Sequence, residues 1–347
     1  MRGLAVHTVG SIPDLRHFWT TVRTSVGPFF LLHSDDRALK NASSHVVRDV
    51  QGHDAIIRVV AVGQEGREQL RIWRKLATAP HALVSANHAL PLLRELDLGH
   101  ITFGVLPRVA QPVAGMYGGW AKNSVGDILD AVLQALEGLA YIHSLGIAHR
   151  DAFTYNFLLS WHPESLLAGA AAISKPRVYL IDFEVAVEFA AGVAPADRLC
   201  VGPPCIGSLS DPASYAAPRI PEMEHGAPYD PFKLDVWQLG TSLSNFDSTL
   251  PRVQDVLRSM ASLDPAERLT ADGALSLLRG ALEDVPPRAL HIAPVVHHGP
   301  GYVSSAELRA ACVALPEAAC VARPDDGVEV PDDGVEVPDG GVEVRTS

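Results

Sequence analysis

The tightest constraint in this chain is a change of texture at residue 146. From Ser124 onward, Ile128, Leu129, Val132, Leu136, Leu139 and Ile142 recur at helical spacing. The stripe predicts an amphipathic helix with Ser124 as its N-cap and Gly146 as its left-handed stop. His149-Arg150-Asp151 follow at once, and five residues after the aspartate Asn156 opens the apolar run Phe157-Leu158-Leu159. A buried helix and a short buried strand thus enclose a loop that carries an acid and an amide at fixed separation.

The elements on either side differ in kind. Between Pro28 and Leu106 the pattern predicts strands at Phe29 to Leu32, His45 to Val50, Ala55 to Val62 and Ile101 to Leu106. One helix interrupts them, over Gly66 to Thr78, with Leu70, Trp73 and Leu76 on one face. After Ser124 the chain reads as helical, with further helices at Asp230 to Phe246, Val253 to Leu263 and Thr270 to Leu282. The expected class is α+β, a small mainly-β half over 28–106 and a larger mainly-α half over 107–285. Residues 1–27 read as an N-terminal extension, and the Pro- and His-rich stretch from Val285 predicts that the folded unit ends near residue 285.

Four further segments follow the aspartate loop in order. Val178-Tyr179-Leu180-Ile181 is a strand that ends in Asp182-Phe183-Glu184, then come Pro221-Glu222, Asp235-Val236-Trp237-Gln238-Leu239-Gly240 and Asp264-Pro265-Ala266-Glu267-Arg268. Together with the loop they resemble the eukaryotic protein kinase family over roughly residues 28–282, with Asp-Phe-Glu where the family has Asp-Phe-Gly and Pro221-Glu222 where it has Ala-Pro-Glu. The resemblance implies a bilobal protein-kinase-like fold that uses ATP and Mg2+ to phosphorylate a protein substrate. Asp151 would orient and deprotonate the acceptor hydroxyl, Asn156 and Asp182 would hold magnesium, and Arg150 would receive an acidic or phosphorylated activation segment. At the hinge, Leu106 would gate the adenine pocket, with the Pro107 carbonyl and the Val109 amide as the base's partners. Glu222, Asp235 and Arg268 would hold the lobe together rather than act on substrate.

The amino-terminal half departs from the family. Arg58 stands where the family's phosphate-contacting lysine is expected, and a planar guanidinium is a different shape from an ammonium. Glu68, with Glu65 as the alternative, is the expected carboxylate partner of that cation, and Lys40 is an alternative source of the charge. No Gly-x-Gly-x-x-Gly occurs between Pro28 and Val50. In the other half, Phe153 replaces the catalytic-loop lysine and Glu184 the glycine after Asp-Phe. Two functions follow, a working Ser/Thr-type kinase or a pseudokinase scaffold. Small-molecule phosphotransferases of the same fold usually lack the Pro-Glu and late arginine segments present here.

Composition narrows the partners. Of 347 residues 47% are hydrophobic and 20% charged, and the formal charge of −12 argues against a nucleic-acid binder with a broad basic face. No apolar run approaches the roughly 20 residues that span a bilayer, and the start of the chain does not read as a signal peptide, so a cytoplasmic or nuclear protein with no membrane partner is expected. Cys200, Cys205, Cys312 and Cys320 have no zinc-ligand pattern and read as free thiols. Residues 286–347 read as a Pro-rich, acidic tail, with Asp325-Asp326-Gly327-Val328-Glu329-Val330-Pro331 repeated to residue 344. It is either a solvated extension or a docking segment for a basic partner.

Overall fold

The computed structural model describes residues 29–31, 44–49, 53–109, 112–118, 123–160, 176–204, 215, 217–224 and 226–297. Lys40, Trp161-His162-Pro163, Ser208, Ser210, Ser214, Cys205, Cys312, Cys320 and the acidic repeats lie outside them. The described part is mixed helix and sheet, a sheet with one helix followed by a helical half, as the expected class requires.

The sheet comprises β1 (Phe29–Leu31), β2 (Ser44–Asp49), β3 (Asp54–Val62), β4 (Arg94–Leu98) and β5 (Ile101–Pro107), in the order β1-β2-β3-β5-β4 with every pair antiparallel. Val47, Ala55, Ile57, Phe103 and Val105 form a core on one face, the alternation a half-buried strand demands. The β4 strand is absent from the sequence expectation because Arg94, Glu95 and Asp97 carry no strand signal; charge suits it to the sheet edge it occupies. Between β3 and helix α1 (Arg67–Ala77) the chain turns at Gly66, with φ 76°, where a Cβ would collide with the Val60 carbonyl oxygen.

The helical half is built on α2 (Val125–Ser144). Its N-terminus is a capping box in which Ser124 and Asp127 satisfy each other's backbone amides, and Gly146 follows it at φ 74°. Val125, Ile128, Leu129, Val132, Leu136, Leu139 and Ile142 are buried along it. Around it stand α3 (Pro231–Ser242), α4 (Pro251–Met260) and α5 (Ala271–Leu282), with Asp230 capping α3 and Thr270 capping α5. Short strands frame the loops: β6 (Ile147–Ala148) pairs with β9 (Val187–Glu188), β7 (Phe157–Leu159) with β8 (Val178–Leu180), and β10 (Cys200–Val201) with β11 (Pro228–Tyr229).

The packed chain continues past the residue 285 at which the sequence predicts its end. β12 (Phe246–Asp247) pairs with β13 (Val295–Val296), and the Ile292 carbonyl accepts from the Val125 amide at 2.9 Å, at the start of α2. The expected helix to Phe246 stops at Ser242 so that the chain can enter β12. No helix among the described residues is long and apolar enough to cross a membrane.

Candidate functional site

The loop from His149 to Asn156 is held from beneath by helix α3. Asp235, fully buried, accepts from the amides of His149 at 2.8 Å and Arg150 at 2.6 Å and also faces His143 Nε2 at 2.8 Å. One turn on, Gln238 accepts from the Ala152 amide and donates to the Arg150 carbonyl, both at 2.8 Å. A turn further, Ser242 Oγ accepts from Thr154 N at 3.2 Å. Positions 235, 238 and 242 lie on one helix face, so the loop's backbone groups are satisfied in register. Asp235 was legible in the sequence; Gln238 and Ser242 were not singled out, though polar residues at that spacing in an apolar helix are the signal. The clamp permits Arg150 its left-handed φ of 66°, a conformation that costs free energy without support.

Asp151 sits at the top of this loop. Asn156 Nδ2 donates to both the Asp151 carbonyl and its carboxylate Oδ2 at 2.8 Å, and Tyr155 Oη donates to Oδ1 at 2.7 Å. Burial raises the Asp151 carboxyl above its ordinary pKa, against the lowering effect of the Tyr155 hydrogen bond. Tyr155 is 45% exposed, and partial burial with the Asp151 charge raises its phenol. Tyr155 was not singled out in the sequence; its side chain returns to Asp151 because residues 154–156 tighten into a 3-10 turn. Its ring stacks on Phe153 at 5.5 Å, and Phe153 is itself packed against Trp237.

Asp182 reaches the same place from the end of β8, also with φ 66°. His149 Nε2 bonds the Ile181 carbonyl at 2.8 Å, its Nδ1 accepts from the Asp151 amide at 3.2 Å, and its ring meets Phe183 edge-on at 5.0 Å. The strand ending in Asp182 and the loop bearing Asp151 are thereby one unit.

Arg58 comes from β3 into this unit, but its partner differs from the expected one. Its Nη2 donates to Asp182 Oδ1 at 2.8 Å and lies 3.6 Å from Glu184 Oε2, and these carboxylates raise its pKa. Glu68, more than half exposed, instead pairs with Arg71 three residues on. Arg71 and Lys75 both grip Glu188 of β9, at 2.5 and 2.7 Å, tying α1 to the segment after Asp182. The reason is helical phase: Gln69 and Trp73, four residues apart, face the interior, and Glu68 is turned about 100° away from Gln69. Glu65 lies in the β3–α1 turn, where it forms a bridge with Val62.

A cleft of about 360 Å³ opens between the sheet and the loops, a volume in the range of small-ligand sites. Ile56, Leu106, Pro107 and Val109 line it from the sheet and hinge side, Leu158 and Ile181 from the other half, and Arg58, Asp182 and Tyr155 at its polar end. Leu106, Pro107 and Val109 are thus brought together with Arg58 and Asp182, and Glu68 is not among them. Trp73 closes one wall: its Nε1 donates to the Leu90 carbonyl at 3.1 Å, and a Cβ on Gly104 would come within 2.9 Å of its ring.

The donor types at Asn156 and Asp182 are those magnesium takes. Asn156 commits its amide nitrogen to Asp151, so a cation held by this residue would meet its amide oxygen, with the Asp182 carboxylate as a second oxygen donor. Two hard oxygen ligands, completed by phosphate and water, are what Mg2+ ordinarily takes. Among the described residues no group of three His, Cys, Asp or Glu side chains forms a separate metal cage.

Two arginines are buried among the described residues of the helical half. Arg268, 1% exposed, forms a two-pronged pair with Glu222 at 2.9 and 3.0 Å. Arg150 is also buried; its Nη2 lies 3.5 Å from Tyr229 Oη, and its Nε has no hydrogen-bond partner among the described residues.

Comparison with known proteins finds similarity to serine/threonine kinases over part of the chain. No family model matches the chain. The serine/threonine-protein kinase ksp1 of Schizosaccharomyces pombe is 35% identical over 125 residues, 36% of this chain and 22% of that protein. From the same organism, the serine/threonine-protein kinase chk1 is 29% identical over 187 residues, 51% of this chain and 32% of that protein. The serine/threonine-protein kinase ppk8 is 32% identical over 127 residues, 35% and 20% of the two chains. The chain therefore matches about a fifth to a third of the length of these relatives. Five ordered segments, the loop clamp beneath them and three kinase relatives converge on one conclusion: the chain carries a protein-kinase-like domain.

Proposed function

We infer that the chain is an ATP-dependent protein kinase of the serine/threonine type. The observation that supports this reading is that the Asp151 carboxylate, held by Asn156, accepts from Tyr155, a residue that lines the same cleft as Arg58 and Asp182. Ile56, Leu106 and Leu158 supply apolar walls for a flat base, and the Pro107 carbonyl and Val109 amide supply hinge partners. Asp151, kept from full solvation, is suited to take a hydroxyl proton. Asn156 and Asp182 hold magnesium, which when bound neutralises charge on the phosphates. Arg58 adds a cation at the same end of the cleft, and the Nε of the buried Arg150, unpartnered among the described residues, supports a role in receiving an anion from the segment that follows Asp182.

A second reading, a pseudokinase scaffold, is favoured by the engagement of Asp182 with Arg58 and by Phe153 in place of a catalytic-loop cation. The acidic repeats at 325–344 would then present the chain to a basic partner.

Melting with magnesium and a non-hydrolysable ATP analogue, in the wild type and in Asp182→Asn, separates binding from its absence. Transfer of labelled phosphate to a generic basic protein, with Asp151→Asn as control, separates the two readings. A metal-dependent rise in melting temperature that Asp182→Asn abolishes, with transfer that Asp151→Asn abolishes, is expected. Stabilisation without transfer establishes the scaffold, and no stabilisation refutes nucleotide binding.

A further inference from the structure

Among the described residues, Tyr155 is the one hydroxyl seen bonded to the Asp151 carboxylate, the contact a phosphoryl acceptor would make. Its Oη donates to Asp151 Oδ1 at 2.7 Å, and the other carboxylate oxygen is held by Asn156. The phenol lines the same cleft as Arg58 and Asp182. Its ring is nearly parallel to that of Phe153, at 15°, and Phe153 is anchored on Trp237. The short Thr154–Asn156 turn limits how far the ring can leave. Reacting groups held in contact geometry gain a large advantage over groups that must meet by diffusion.

We propose that Tyr155 is a phosphorylation site of the chain's own making, modified within a single molecule. The proposal rests on the kinase reading above. Tyr155 Oη attacks the terminal phosphorus of ATP, the bond from that phosphorus to its bridging oxygen breaks, and ADP leaves with the electron pair. Asp151 takes the phenolic proton. The product places a dianionic phosphate beside Asp151 and Asp182, where like charge opposes rebinding of a nucleotide. The reaction is therefore a single event per chain that closes the cleft to the next ATP.

The test begins with protein treated with a tyrosine phosphatase that is then removed. Magnesium and ATP are added, and intact mass, site mapping and transfer to an added basic protein are followed together. One phosphate per chain is expected, mapped to Tyr155, with a rate constant that does not change on dilution. It should be absent from Asp182→Asn and from a Tyr155→Phe chain shown by melting to be folded. The modified chain should also lose the ATP-induced rise in melting temperature. Transfer to the added protein with no phosphate on Tyr155 overturns the proposal and leaves the kinase reading intact. A rate proportional to protein concentration overturns the intramolecular step. Absence of both transfers overturns proposal and kinase reading alike.

Discussion

Asp151 shows how one side chain links proton affinity, stability and chemistry. Its carboxyl is raised in the folded chain by burial, so the folded state holds this proton more tightly than the unfolded state does. The ionised form therefore detracts from stability at neutral pH, and that deficit is relieved as pH falls through the folded pKa. If Asp151 is the base, the acid limb of kcat/KM should lie above the ordinary aspartate value of about 3.9. In Tyr155→Phe, which removes a hydrogen bond to the ionised form, the limb should move further up; a limb that stays in place or falls would contradict the contact. Glu222 gives a stability counterpart. Glu222→Ala leaves the Arg268 guanidinium buried without its carboxylate, and a loss of about 3–5 kcal/mol is expected in urea unfolding. A loss no larger than that of an exposed pair, about 0–1 kcal/mol, would show that Arg268 finds other partners.

Among elements, α3 determines whether the loop above it has a single conformation. Gln238→Leu keeps the volume but leaves the Ala152 amide and the Arg150 carbonyl unpaired in a buried place. A cost of about 1–3 kcal/mol is expected, together with faster amide exchange across 150–156; unchanged exchange there would remove the helix from its positioning role. Helix α1 is tied down differently, through Arg71 and Lys75 to Glu188, and these pairs are partly exposed. Glu188→Gln should speed exchange over 67–77, and high salt, which screens such pairs, should shrink the difference between mutant and wild type. These contacts also mark the limit of what the sequence made legible. Helices α2 and α5 were readable because an apolar stripe and a capping side chain agree. The partner of Arg58 was not, because one residue of helical phase separates the exposed Glu68 from the inward Gln69, and only the tertiary turn at Gly66 sets that phase. The β4 strand was illegible for a related reason: its charge suits an edge, and edges are defined by neighbours rather than by local pattern.

At the scale of the molecule, the run of strands before Leu106 and of helices after Ser124 was enough to anticipate the α+β arrangement, and the order of five short segments the kinase-like fold. The end of the packed chain was not readable, since Pro286 to His297 has neither helical nor strand periodicity and is held by pairing with β12 and by the α2 N-terminus. A chain truncated after residue 285 should unfold about 1–2 kcal/mol more easily than one truncated after His297, on the loss of the Val125 amide's partner and the β12 pairing. Equal unfolding midpoints would show that this segment rests on the surface without supporting it.

The wall that Trp73 forms beside Gly104 has an optical consequence. An indole that borders an apolar cleft emits according to what fills that cleft, so the chain carries an intrinsic fluorophore at its own binding site. Trp237, the other tryptophan in the described part, is packed beneath Phe153, away from the cleft lining. The emission difference between wild type and Trp73→Phe thus isolates the Trp73 signal. Titrating unlabelled nucleotides against it would rank them without radioactivity, coupling enzymes or any turnover at all.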